Sequence, residues 1–310
     1  MPDVVLLGPQ YRAPVLRDVF ARLAMHGPFC TITAGWQERE AETSDLVEHL
    51  AIDVTDLRLY ERAEAAFAGD SELHAAYRER QDLLREQQDL YRLRLEHAKA
   101  AWRELGEREG NAELLKRARR SALSELRRLD REHLAQLDRV HREFDARWRP
   151  AERPAVARQV QQIERLIDRT ETVLIAGGHV AVLLNRLALF GLQRLLKGKR
   201  LAGWSAGAMA LTETVVLFHD HPPQGRGSAE VFERGLAAVP GLVALPHAAS
   251  RLALDRKERL CLFARRFAPA VCITLDQGAW LHWRGDRIVD GAYASRVTRN
   301  GRLHALASAA

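Results

Sequence analysis

Residues 201–213, LAGWSAGAMALTE, read as a strand that stops at Trp204, a turn at Ser205 and a helix of small residues. That is the pattern of a nucleophile elbow, in which a strained strand-to-helix turn lifts a hydroxyl above the edge of a sheet. Gly203 and Gly207 flank the serine as GxSxG, at places where a bulkier side chain would strike the neighbouring strand and helix. The N–H of Ala206 falls at the helix N-terminus, where it can stabilise an oxyanion. GxSxG also occurs in ordinary strand-to-helix turns, so the flanking sequence decides its meaning. Upstream, IAGGHVAVLL (175–184) ends a strand on Gly177 and Gly178, which can bring a second backbone N–H toward the same oxyanion. Downstream, GLVALPH (241–247) delivers His247 to the C-terminal end of a strand. Ligand and catalytic groups gather at that edge of an open α/β sheet. Ser205 and His247 are the candidate pair.

Further out, DVVLL (3–7), Cys30 to Thr33, TVLIA (172–176), RLAGW (200–204) and AVCITL (270–275) read as strands. Helical patterns at Val15 to Met25, Val156 to Ile167 and Leu183 to Leu196 alternate with them. Such βαβ units predict an α/β fold with a mostly parallel sheet flanked by helices. Between the halves the composition changes. Asp70 to Leu105 and Asn111 to Arg149 contain no Gly or Pro, which predicts two long helices. Gly69, Asp70 and Ser71 supply a stop and an N-cap, and Gly106, Gly110 and Asn111 a turn and the next cap.

Leu73, Leu84 and Leu95 are eleven residues apart, as are Leu115, Leu126, Leu137 and Trp148, with Ala118, Leu129 and Val140 interleaved. An eleven-residue repeat keeps an apolar stripe aligned along a nearly straight helix. The two stripes are expected to face each other in an antiparallel, coiled-coil-like hairpin. The expected division is an α/β hydrolytic domain, 1–54 and 151–310, with an inserted helical hairpin, 55–150. Residues 70–149 carry 19 Lys or Arg against 17 Asp or Glu, so the hairpin is nearly neutral and reads as a solvated arm. Homodimerisation or a protein partner through this hairpin is left open.

The 310 residues are 47% hydrophobic and 28% charged, the composition of a globular chain. The net charge of +6 is spread out rather than gathered in a basic stripe, so no nucleic-acid partner is expected. Cys30, Cys261 and Cys272 have no CxxC spacing, which predicts neither a disulfide framework nor a zinc site and fits a reducing cytoplasm. The start MPDVVLLGPQ reads as a strand rather than a signal peptide, and no apolar run is long enough for a membrane helix. His219 and His221 have HxH spacing but no further ligand set, so no metal and no cofactor are expected.

Gly177-Gly178, GWSAGA (203–208), GLAAVPGLVALPH (235–247) and DQGAW (276–280) together resemble the cyanophycinase and dipeptidase E family of serine peptidases. Trp204 and Trp280 make the chain more similar to the dipeptidase E branch. The resemblance implies a class I glutamine amidotransferase-like fold and a Ser–His–acid triad acting on a small peptide or amide. In it Ser205 is the nucleophile, His247 the base, and Gly178 and Ala206 the oxyanion donors. Two positions depart from the family pattern. His179 stands where the family has Asn beside substrate, and Gln277 stands where the triad acid belongs. Gln277 can orient an imidazole but brings no charge to stabilise the imidazolium.

Asp220, Asp276 and Glu213 are the carboxylates near enough in sequence to compensate. Asp220 ranks first, since His219 and His221 beside it make its loop rich in titratable groups. Trp204 and His179 are expected at the substrate, with Arg226 and Arg251 available to grip a substrate carboxylate. The alternative reading is a catalytically silent member that binds through the cleft or the arm. An α/β-hydrolase esterase fits poorly, because His247 lies far from the C-terminus. A glutamine amidotransferase would carry Cys rather than Ser at the elbow.

Overall fold

The structure, a computed structural model, describes residues 3–219 and 229–306. The first half of the body is β1 (Asp3–Leu7), α1 (Leu16–Arg22), β2 (Phe29–Ile32), α2 (Ser44–Leu50), β3 (Val54–Asp56) and α3 (Leu59–Ala68). Two 37-residue helices follow, α4 (Ser71–Glu107) and α5 (Ala112–Trp148). The body resumes with α6 (Pro154–Asp168), β4 (Thr172–Ile175), α7 (Val180–Leu189), α8 (Leu192–Leu195), β5 (Arg200–Trp204), α9 (Ala206–Ala210), β6 (Thr214–Leu217) and β7 (Glu230–Arg234). It closes with β8 (Leu242–Pro246), α10 (Ala248–Arg251), α11 (Lys257–Phe267), β9 (Val271–Leu275), β10 (Trp280–Arg284), β11 (Arg287–Ala292), β12 (Ser295–Val297) and β13 (Leu303–Ala305).

The main sheet has the order β11-β10-β1-β5-β4-β2-β3. β1, β5, β4, β2 and β3 run parallel, and the β10–β11 hairpin joins antiparallel to β1. Every residue of β2 and β4 is buried, as a parallel sheet covered on both faces requires. A second sheet, β13-β12-β9-β8, pairs β8 with β9 in parallel, and β6 and β7 form a separate ribbon. The fold is therefore the mostly parallel, helix-flanked α/β architecture expected from the sequence. Among the described residues no helix is long and apolar enough to cross a membrane.

The hairpin expectation also holds. The Asp70 carboxylate caps α4 by accepting the Leu73 N–H, and Asn111 caps α5 by accepting from Glu113 and Leu114. Tyr77 meets Phe144, Tyr91 meets Asp130 and Arg119 lies over Trp102, so one helix ascends as the other descends. Leu95, Leu126, Leu129 and Leu137 are buried between them, with Leu84 partly buried alongside.

Smaller differences have local causes. Gly106 lies inside α4, and the turn begins at Arg108. The single helix expected over Leu183 to Leu196 breaks into α7 and α8 at Gly191, whose φ of 63° a helix cannot continue. Within 55–150, Leu57, Leu59, Phe67, Leu73, Tyr77 and Phe144 join the core of the body.

A buried polar junction ties the hairpin to the body. Arg266 of α11 is 4% exposed, and its Nε and Nη2 donate to the Asp130 carboxylate (2.7 and 2.6 Å). It also donates to Tyr91 Oη and to the Ala229 carbonyl (2.7 Å each). A buried guanidinium is tolerated when its donors are met in this way. Beside it the His133 ring stacks on Tyr91 with centroids 4.0 Å apart. Arg92 reaches Glu230 of β7, and Arg234 reaches Asp138.

Candidate active site

Ser205 sits between β5 and α9 with φ 50° and ψ −117°, a conformation that costs a non-glycine residue energy and persists only where the surroundings impose it. They do so here. Its N–H donates to the Leu7 carbonyl at the end of β1 (3.1 Å), and its carbonyl accepts from Met209 (3.2 Å). The two flanking glycines are sterically required. A Cβ on Gly203 would come within 2.8 Å of the Gly207 backbone, and one on Gly207 within 2.0 Å of the Ile175 carbonyl oxygen.

His247 follows β8 in the left-handed region, φ 58°, and its N–H is held by the Leu275 carbonyl (3.2 Å). Its Nε2 lies 3.2 Å from Ser205 Oγ, within reach for proton transfer. Burial, and secondarily the charge of Arg251, push its pKa below the usual 6.5. The imidazole is therefore neutral near pH 7 and able to accept a proton. Arg251 is itself half-buried, and burial lowers its pKa as well. Among the described residues no carboxylate pairs with Arg251, leaving its fork available to an incoming anion.

The β4–α7 loop lies against the elbow. A Cβ on Gly177 would stand 2.9 Å from Ser205 Cβ, and one on Gly178 (φ 107°) would meet the Gly35 carbonyl oxygen at 2.3 Å. The N–H groups of Gly178 and Ala206 have no acceptor among the described residues. His179 is exposed, and its Nδ1 accepts the Val182 N–H (3.3 Å), so it caps α7 at the mouth of the site.

Other expected residues are placed differently. Trp204 is 6% exposed and packs with Val5, Leu174, Ala202 and Trp280 in the core cluster of Val5 and Leu7, because the alternation of β5 turns it away from the Ser205 hydroxyl. Gln277 is exposed in the β9–β10 turn and forms no hydrogen bond to His247. Its neighbour Asp276 accepts the Ala249 N–H (2.9 Å) and so braces the turn that carries His247, while burial raises its own pKa. Glu213 is exposed. Among the described residues, no hydrogen bond reaches Nδ1 of His247. Asp220, His221 and Arg226 lie outside the described residues. No cluster of three His, Cys, Asp or Glu side chains among the described residues is placed to hold a metal ion.

Two close approaches escaped the sequence reading. A Cβ on Gly8 would stand 1.9 Å from the Asp276 carbonyl oxygen, and one on Gly35 2.5 Å from that of Gly177. Both glycines let neighbouring loops close on the site. The available signal was a Gly just past the end of a strand.

The family model for peptidase family S51 matches residues 128–290, which include Gly178, Ser205, His247 and Gln277. No match is found among curated proteins. Among solved structures the chain is similar to a peptidase from an acI-B1 Actinobacterium, with TM-score 0.48 and 14% identity over 99% of this chain and 95% of that one. It is also similar to a protein assigned as peptidase E from Listeria monocytogenes EGD-e, with TM-score 0.31 and 16% identity over 45% of this chain and 66% of that one.

Proposed function

The chain belongs to peptidase family S51, whose model covers more than half of it, and from that membership we propose a serine peptidase that cleaves a small peptide or amide through an acyl-enzyme. The observation that carries this reading is the 3.2 Å approach of Ser205 Oγ to a neutral, half-buried His247. Ser205 Oγ attacks the carbonyl carbon while His247 Nε2 takes its proton. The negative charge that develops on the carbonyl oxygen is met by the N–H groups of Ala206 and Gly178. His247 then returns the proton to the leaving amine, and water attacks the ester by the same route in reverse. Arg251 holds a substrate carboxylate, which favours a short peptide with an acidic group near the scissile bond. A cytoplasmic setting, expected from the dispersed cysteines, belongs to the same proposal.

The position of Gln277 supports a second reading, a family member that binds without turning over. Among the described residues no carboxylate reaches His247 Nδ1, and an imidazolium without one is poorly stabilised during attack. A fluorophosphonate probe separates the two readings. One covalent adduct by intact mass, lost in Ser205→Ala and in His247→Ala, supports the peptidase. Absence of any adduct on the folded wild type favours the silent binder.

A further inference from the structure

Among the described residues the two most exposed large hydrophobic side chains are Tyr11 (93%) and Tyr293 (84%). Both leave the edge of the main sheet that carries Ser205. Pairing across the sheet aligns Ala292 of β11, Trp280 of β10, Leu7 of β1 and Trp204 of β5 in one row. Ser205 follows Trp204 and Tyr293 follows Ala292, three strands away. At about 4.8 Å per strand the two positions stand roughly 14 Å apart, the span of about four residues of extended peptide. Between them the turn 276–279 lies open, with no atom within 4 Å of where a Cβ on Gly278 would stand.

Tyr11 is held at the same edge by its loop. Gln10 Nε2 donates to the Gly8 carbonyl (3.1 Å), and its Oε1 accepts the N–H groups of Val15 (2.8 Å) and Leu16 (3.2 Å), which closes the segment between β1 and α1. The Tyr11 phenol lies within electrostatic reach of Arg39, whose pKa is raised mainly by Glu42 and in smaller part by this tyrosine. Arg39 follows the Gly35 segment that packs on Gly177, so Tyr11 lies on the Ser205 side of β1. Tyr293 holds φ 55°, a left-handed conformation that is costly for a bulky side chain and gathers at ligand sites. Neither ring has a hydrogen bond or ring contact among the described residues.

We propose that Tyr11 and Tyr293 are two aromatic contact points for an extended peptide substrate, Tyr11 taking an apolar side chain beside the scissile bond and Tyr293 a second about four residues away. The proposal deepens the peptidase reading and rests on it for the identity of the site. A tyrosine ring offers a large, stiff contact surface at low entropic cost. Arg251, which no carboxylate pairs with among the described residues, leaves the site cationic and disfavours Lys or Arg at these rings. A phenylalanine-like side chain is what they suit. Continuity with Ser205 along one row of the sheet makes substrate, rather than a docked protein, the occupant.

The test walks a single Phe through an Ala/Ser peptide that keeps one central Asp as an anchor for Arg251, with Kd measured by calorimetry on the full-length Ser205→Ala protein. Phe beside the Asp and Phe about four residues from it should each lower Kd about threefold to tenfold relative to Ala, the range an aromatic pair is worth. Tyr293→Asn, which suits the left-handed backbone without the ring, should erase the distal gain alone, and Tyr11→Ala the proximal gain alone. Tyr→Phe at either position should keep both gains, and so should Leu93→Ala on the arm. On the active protein the gains should appear in KM rather than kcat. A flat scan, gains that survive loss of the rings, an equal gain from Lys in place of Phe, or equal loss in Leu93→Ala would overturn the proposal. The position-dependent pattern in Kd without any fluorophosphonate adduct on the wild type would overturn the peptidase reading and leave the two aromatic contacts standing.

Discussion

His247 Nε2 lies 3.2 Å from Ser205 Oγ although the two residues end strands of different sheets, Ser205 closing β5 of the seven-stranded sheet and His247 closing β8 of the four-stranded one. The pair is therefore a property of how the sheets pack. It is held by the backbone N–H of Ser205 donating to the Leu7 carbonyl and that of His247 donating to the Leu275 carbonyl. Neither strand alone would set the distance.

The pH profile should report the environment of His247. Burial and Arg251 favour the neutral imidazole, so the acidic limb of kcat/KM for peptide or activated-ester hydrolysis should fall below the ordinary 6.5. Arg251→Gln removes the repelling charge and should move that limb upward. It should also raise KM for a substrate bearing a carboxylate more than for an uncharged one. A wild-type limb at or above 6.5 would show that the buried, arginine-facing imidazole is not the base.

The third member of the triad can be found by substitution. Gln277 is exposed and Asp276 is committed to Ala249, so Gln277→Glu should change kcat by less than about threefold, far below the factor of roughly 10⁴ that an orienting acid is worth. Asp220→Asn should lower kcat by about 10³ to 10⁴ if that acid orients His247. Asp276→Ala should fall between them, because it loosens the turn without removing a charge from the imidazole. A large gain from Gln277→Glu would instead return position 277 to the triad.

Stability in acid should depend on His133. Its ring is 1% exposed and its Nε2 meets Gln88 Oε1 (2.8 Å), while Nδ1 is buried without a partner. Burial lowers its pKa from 6.5 to about 4. The native state thus resists a proton that the unfolded chain accepts, and stability is lost as pH falls from 6.5 towards 4. At about 1.4 kcal/mol per pH unit the loss is on the order of 3 to 4 kcal/mol. His133→Phe keeps the stack on Tyr91 and should flatten the dependence of the melting midpoint on pH over this interval. Parallel curves for wild type and variant would remove His133 from the acid response.

The proposed division of the chain is open to excision. Leu57, Phe67, Leu73, Tyr77 and Phe144 lie in the body's core, and Arg266 needs Asp130 and Tyr91. Shortening the arm by joining residue 98 to residue 123 through a short turn should leave the melting midpoint within a few degrees. Replacing all of 60–150 by a linker should lower it severely, by the several kcal/mol expected for each large buried side chain removed. A stable protein after the larger excision would establish the α/β body as autonomous.

Features that depend on local chemistry were legible in the linear chain. Period and punctuation mark both long helices, Asp70 and Asn111 mark their starts, and a glycine-flanked serine after a strand marks the elbow. These are short-range effects of capping, backbone sterics and side-chain alternation, and one strand or helix carries them. Features that depend on the approach of distant segments emerged only with the packing of the elements. It turned Trp204 into the core, left Gln277 exposed, and committed Asp276 to the His247 turn. It also brought Tyr11 and Tyr293, from opposite ends of the chain, to the edge of the sheet that carries Ser205. Neighbours along a sequence are fixed by covalent bonds, but contact depends on distance in space, and that distance exists only once the elements have packed.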